Sequence, residues 1–336
     1  MKLVSYLREG HDRMAALING LLFDMERLHP DLPNTMGMFL QYWDDFYPMA
    51  LGGEIMVREG KISADDGIAI GDVELLAPVP FPASCRDGYA FRQHVANARK
   101  NRKMEMISAF DEYPIFYFTN HHAVKGPGEI SCMPDHFDKL DFELETAIVI
   151  CRHGRNIRAE EADDYIAGLM IMNDISARTL QMEEMLLNLG PAKGKDFATS
   201  TGPWLVTLDE LQQYETDARP GHTGKAWSLR MQCRVNGIQV SDGNMADMHW
   251  TFAELIERVS YGADLYPGDV IGSGTVGTGC FLELNGTSRL NDPNAEEQWL
   301  QEGDAVEMEV DGLGLLINNF TREESDFSIL SRKKKP

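Results

Sequence analysis

The chain is short of positive charge and carries nothing that would thread a membrane or lock a secreted fold. Fifty-three Asp and Glu face thirty-one Lys and Arg, a formal net charge of −22. That balance argues against nucleic acid or an anionic membrane as the main partner. No apolar run approaches bilayer length. The first residues, MKLVSYLREGHDRMAAL, scatter charges where a secretory leader needs an unbroken apolar core. Cysteine is scarce and unpaired in pattern: Cys85, Cys132, Cys151, Cys233 and Cys280 are odd in number, far apart and never C-x-x-C. Such spacing fits reduced thiols in a cytoplasmic protein better than a disulfide framework or a zinc site. A G-x-S-x-G elbow, an internal repeat and a low-complexity tract are also missing.

What is present is a chain of 336 residues, 43% hydrophobic, enough for a large core. Met14, Leu17, Ile18, Leu21, Leu22 and Met25 recur at helical spacing and predict a helix over 11–28, with a second over 35–47. Pro78, Pro80 and Pro82 close this small N-terminal region, 1–75, ahead of a main domain over 76–325 and a polar, basic tail over 326–336. Beyond residue 84 short strands dominate: PIFYFT, ETAIVICR, GPWLVT, LRMQCRVNGIQV, DVIGSG, CFLELNG and AVEMEVDGLGLLIN. Asn236-Gly237 suits a tight hairpin turn. Helical patterns intervene at 88–103, 159–170, 177–189 and 250–260. The fold class is α+β with a β-rich body.

Two glycine motifs fail on context. Gly272-Ser-Gly-Thr-Val-Gly277 satisfies G-x-G-x-x-G, yet it leads into CFLELNG, which reads as a strand and not as the helix a dinucleotide needs. Gly190-Pro-Ala-Lys-Gly-Lys195-Asp196 is one residue short of a phosphate loop and ends in Asp.

Polar residues concentrate in three other places: Asp87 to His94, Asn173-Asp174 to Arg178, and Lys193 to Phe197. Singly, Asp174 reads equally well as a helix cap, His94 as a core histidine and Lys195 as a loop lysine. DFELETAIVI (141–150) is stranger, because Asp141, Glu143 and Glu145 fall on one face of a predicted strand, where unpaired carboxylates repel. A solvated face or a shared hard cation would each explain them.

Taken in order, VELLAPVPFP, DFELETAIVI, MNDISARTLQ, LGPAKGKDFATSTGPWLV, YPGDVIGSGTVG and GDAVEMEVDGLGLLIN resemble the fumarylacetoacetate hydrolase superfamily from about Val73 to Phe320. The resemblance implies a fumarylacetoacetase-type mixed β-sandwich or β-roll. It implies that Asp87, Glu143, Glu145 and Asp174 bind a divalent cation, while Asp141 matches no ligand. An all-oxygen set suits Mg²⁺ or Ca²⁺, with Mn²⁺ possible. His94 matches the catalytic histidine and Glu283 its carboxylate partner. Lys195 and Gln181 match oxyanion-stabilising residues, and Tyr89, Thr275 and Lys103 match substrate-contacting positions. The implied reaction is hydrolysis of a carbon–carbon bond in a small anionic β-diketo acid, with fumarylacetoacetate from aromatic amino-acid breakdown as first candidate. Acylpyruvate hydrolysis, decarboxylation and isomerisation are alternatives, and the family's habit predicts a homodimer. Two positions depart from the fumarylacetoacetase pattern. Lys103 stands in place of an arginine, and lysine lacks the planar fork for bidentate carboxylate capture. Met185 stands in place of a tyrosine.

Overall fold

A computed structural model describes residues 1–334; Lys335, the last residue of the basic C-terminal run, lies outside it. A twelve-stranded mixed sheet forms the body. Its central strands are Thr199–Thr207, Ile166–Asp174, Leu144–Ile150, Val270–Gly272 and Cys85–Gly88, in that spatial order, with Phe116–Thr119 at one edge. A five-stranded sheet, ordered Ile238–Asn244, Arg230–Val235, Ala305–Val310, Gly314–Arg322 and Gly128–Cys132, packs against it. The α+β, β-rich expectation is met.

Alternation along the central strands divides two cores. Leu144, Ile148, Leu169 and Ile171 face the five-stranded sheet through Met231, Met308 and Leu316. Ala147, Val149, Met170, Met172 and Cys85 face the other way, onto Phe39, Leu40, Trp43 and Ala50 of the N-terminal helices. Period-two geometry then puts Glu145, Asp174 and Asp87, each two residues from a member of this second set, on one face near the end of the sheet. Strands buried on both faces read as continuous apolar runs, as Ile166–Met172 does.

Residues 1–75 share this sheet. Strand Lys2–Arg8 pairs antiparallel with Thr199–Thr207 in the register Leu3↔Leu205, and His11–Ile18 and Leu21–Asp24 extend the sheet outward. The helix predicted over 11–28 is thus two strands, and only Met25–Leu28 is helical. Asn19-Gly20, with φ of 51° and 85°, makes a tight hairpin turn that the helical spacing of the leucines masked. Asn236-Gly237, with φ of 52° and 76°, turns as expected. The predicted 35–47 helix is two, Met36–Gln41 and Trp43–Arg58. The predicted 159–170 helix stops at Ala162, because the apolar run after it takes the central strand.

The fourth correction matters most. CFLELNG is not a strand: Phe281–Asn291 is a helix. The ground for rejecting the glycine motif was therefore wrong, but the rejection has a better one. The Asp141 carboxylate already accepts from the Phe281 and Leu282 N–H groups at 2.8 and 3.0 Å, so the helix N-terminus has its anion.

Candidate active site

Asp87, Glu143, Glu145 and Asp174 are all buried and offer carboxylate oxygens lying within 4.8 Å of one another. Asp87, Glu145 and Asp174 stand on three strands, Glu143 directly precedes the strand of Glu145, and glycines make room for two of the four. Gly272 lies between the strands of Asp87 and Glu145, paired with Asp87 on one side and Ala147 on the other. A methyl group on it would sit 2.5 Å from Asp87 Oδ1. The Gly274 N–H, at φ +79°, reaches both Asp87 Oδ1 and Glu145 Oε2 at 3.1 Å. The glycine motif thus builds the floor of a carboxylate cluster.

The four carboxyls cannot all stay charged and dry. Burial, then the Asp174 charge, raises Asp87 to about 7. Burial, then Asp87, raises Glu145 well above the carboxylate range. Burial also raises Asp174, with Lys195 opposing it. Glu143 goes the other way: burial pushes it up, but Lys195 and then Arg178 override this and leave it below the usual range. Lys195 donates to Glu143 Oε2 and, at 2.6 Å, to Asp174 Oδ2. Asp174 Oδ1 is buried with no hydrogen-bond partner. An orphaned oxygen inside a crowded, all-oxygen donor set fits a divalent hard cation held by these four residues.

Next to this cluster His94 Nδ1 lies 2.5 Å from Glu283 Oε2. Glu283 is fixed in turn by the Asn97 amide at 2.6 Å and the Thr278 N–H at 3.0 Å, both on Oε1. His94 and Asn97 occupy one helix, Arg92–Asn101, and Glu283 begins the facing helix. Both groups open onto a cavity of about 790 Å³ that also meets Asp87, Glu143 and Lys195. Tyr89 lines it, its ring edge-to-face with the His94 ring and the two ring centres 5.9 Å apart. Gln181 lines it too, its Oε1 taken by Arg178 Nη1 at 2.9 Å, which leaves its NH₂ to donate into the cavity. Thr275 lines the wall but spends its hydroxyl on Glu145 at 3.3 Å. Lys103 lies at the exposed rim in a left-handed conformation beside Arg102, and the half-exposed Met185 also lines the cavity.

The model of the fumarylacetoacetate (FAA) hydrolase C-terminal family matches residues 84–321. The chain belongs to this family. The oxaloacetate tautomerase Fahd2a, mitochondrial, of Rattus norvegicus is 30% identical over 95% of the chain and 91% of its own length. A fumarylacetoacetase of Arabidopsis thaliana is 34% identical over 50% of the chain and 46% of its own. The solved fumarylacetoacetate hydrolase of Exiguobacterium antarcticum superposes with a TM-score of 0.70 over 96% of the chain and all of its own, at 23% identity, and shares the fold. Among the described residues no helix is long and apolar enough to cross a membrane.

Two residues of this site, Tyr117 and Asn97, go unnoticed in the sequence, and two more, Arg178 and Asp141, are noticed there without a role. Tyr117 donates its hydroxyl to Asp174, but in Phe116-Tyr117-Phe118 it looks like any strand aromatic. Asn97, one helical turn after His94, was there to be read as its same-face neighbour. Arg178 is 2% exposed and bonds Asp141 Oδ2 through Nε and Glu143 Oε1 through Nη2, each at 2.8 Å. Asp141 is the other anchor. Though it matches no metal ligand, it ties Arg178 to the helix that carries Glu283.

Proposed function

We propose that this family member moves a proton at the enolisable carbon of a small 2-oxo dicarboxylic acid, with His94 as the base. The observation that carries the reading is the His94–Glu283 pair opening onto the same cavity as the carboxylate cluster. Held by Asp87, Glu143, Glu145 and Asp174, Mg²⁺, Ca²⁺ or Mn²⁺ would supply Lewis-acid charge where a 2-oxo acid becomes an enolate. Glu283 orients the imidazole and stabilises its charged form. The Gln181 NH₂ and Lys195 offer donors to a developing oxyanion, each typically worth ~3–4 kcal/mol of barrier. Tyr89 and Thr275 bound the substrate's flanks, and Lys103 attracts its outer carboxylate. Keto–enol tautomerisation leads because the relative that matches nearly end to end bears that activity in its name.

Hydrolysis of a carbon–carbon bond, as in fumarylacetoacetate, is the second reading. A cavity of about 790 Å³ favours it, since a four-carbon acid leaves most of that volume to water. His94 would then deprotonate a water instead of a carbon. The test is to strip the protein with EDTA, restore Mg²⁺, Ca²⁺ or Mn²⁺, and follow the enol absorbance of oxaloacetate and of fumarylacetoacetate with products identified. Metal-dependent isomerisation of oxaloacetate supports the first reading, and release of fumarate and acetoacetate the second. Turnover of either acid that His94→Gln leaves unchanged would sink both. A paired assembly of two copies is part of the proposal and is checked by light scattering. Five free, buried cysteines support a reducing compartment, the cytoplasm by our reading; one relative named above is mitochondrial.

A further inference from the structure

Cys280 takes no part in the chemistry above, yet it sits against the two residues that do. It is fully buried at the residue preceding helix Phe281–Asn291, where Asp141 already serves the first N–H groups. One ring nitrogen of His94, the Cys280 Sγ and a Glu283 oxygen all lie within 4.8 Å of one another. His94 and Glu283 line the cavity and Cys280 stands behind them.

We propose that His94, Cys280 and Glu283 form a second metal site, selective for a thiophilic divalent cation such as Zn²⁺. Nitrogen, thiolate and carboxylate are zinc donors, with bonds of roughly 2.0–2.3 Å that place ligand atoms roughly 3–4 Å apart in a tetrahedron. The three ligand atoms lie within 4.8 Å of one another, so no separation needs to change by more than ~2 Å to reach that spacing, and the His94–Glu283 contact of 2.5 Å must open slightly. The fourth position faces the cavity, which is also the path in. The carboxylate cluster offers oxygen alone and prefers hard cations, so donor softness separates the two sites. Burial, then the Asp141 charge, holds the thiol well above its ordinary pKa, so it keeps its proton until a metal displaces it to solvent through the cavity. Occupation consumes the His94–Glu283 hydrogen bond, so zinc inhibits. That consequence rests on the function proposed above; the site does not.

Co²⁺ is the probe, added to full-length protein already saturated with Mg²⁺. A sulfur-to-cobalt charge-transfer band in the near ultraviolet, saturating at one equivalent, is expected from this site and not from an all-oxygen one. Cys280→Ser should lose the band while Cys233→Ser, at another buried cysteine, keeps it. If Cys280→Ser does not fold, His94→Ala must lose the band instead. No band, or one surviving both Cys280→Ser and His94→Ala, overturns the proposal. In the enol assay Zn²⁺ should inhibit the parent at least about tenfold more strongly than Cys280→Ser. A cysteine-dependent band with equal zinc inhibition would keep the site and overturn the role given to the His94–Glu283 pair.

Discussion

Replacing Asp141 by Asn tests whether the metal cluster and the His94–Glu283 pair are mechanically joined. Asp141 is fully buried and accepts from Arg178 Nε at 2.8 Å, from the Phe281 and Leu282 N–H groups at 2.8 and 3.0 Å, and from the Phe142 N–H at 3.0 Å. Asn keeps one acceptor oxygen and turns an NH₂ toward either Arg178 or the helix N-terminus, both of which are donors. It also strips the counter-charge from a guanidinium that is 2% exposed, leaving Glu143 as its only carboxylate partner among the described residues. Removing one partner of a buried pair costs ~3–5 kcal/mol, a large share of the ~5–15 kcal/mol that holds a typical fold. Urea unfolding of metal-loaded protein should show that loss as a lower midpoint at unchanged slope. Activity should fall as well, because Arg178 and helix Phe281–Asn291 lose their common anchor. In Asp141→Leu/Arg178→Met the orphaned charge is gone, and part of the stability should return. A loss below ~1 kcal/mol for Asp141→Asn, or a double variant no better than the single, refutes the reasoning.

Three further outcomes follow from the same geometry. The raised Asp87 means folded, metal-free protein binds that proton more tightly than the unfolded chain. Its stabilising contribution is full below about pH 4 and lost as pH rises through about 7, while metal affinity climbs over the same interval. Mg²⁺ should therefore raise the thermal midpoint more at pH 7.5 than at pH 5.5, with calorimetry in two buffers showing proton release at the lower pH; a pH-independent effect contradicts this. Gly272→Ala should weaken metal binding by more than about tenfold, since its methyl meets Asp87 Oδ1 at 2.5 Å; unchanged titration with the metal would count against it. Asn97→Ala removes a charge-assisted donor to Glu283 worth ~1.5–3 kcal/mol, so kcat should drop ~10- to 100-fold with metal affinity intact. Equal loss of both would mean general unfolding.

Much of this was legible in order along the chain. Alternation in 141–150 exposed Glu143 and Glu145, and the Asn-Gly turn at 236–237 fixed its hairpin. Asn19-Gly20 carried the same signal but lost to leucines that fit helix and strand alike. CFLELNG failed for a different reason: what starts that helix is Asp141, 140 residues away, and no local pattern contains it. The same distance hid Arg178 as a bridge and Tyr117 as a donor, since each earns its role only when strands far apart in sequence lie side by side. Cys280 showed nothing at all until His94 was folded against it.

The carboxylates stand on or beside the interior strands of a wide sheet, whereas Lys103, Met185 and Pro191 belong to the margins of the cavity. On the function proposed above, chemistry and choice of substrate fall to different parts of the molecule. Exchanging the rim would then alter which acid fits without disturbing the carboxylates that would hold the ion, while a change in the sheet would reach those carboxylates directly. Such a division would let one scaffold change its substrate by trading side chains at the cavity margin while its buried carboxylates stay in place.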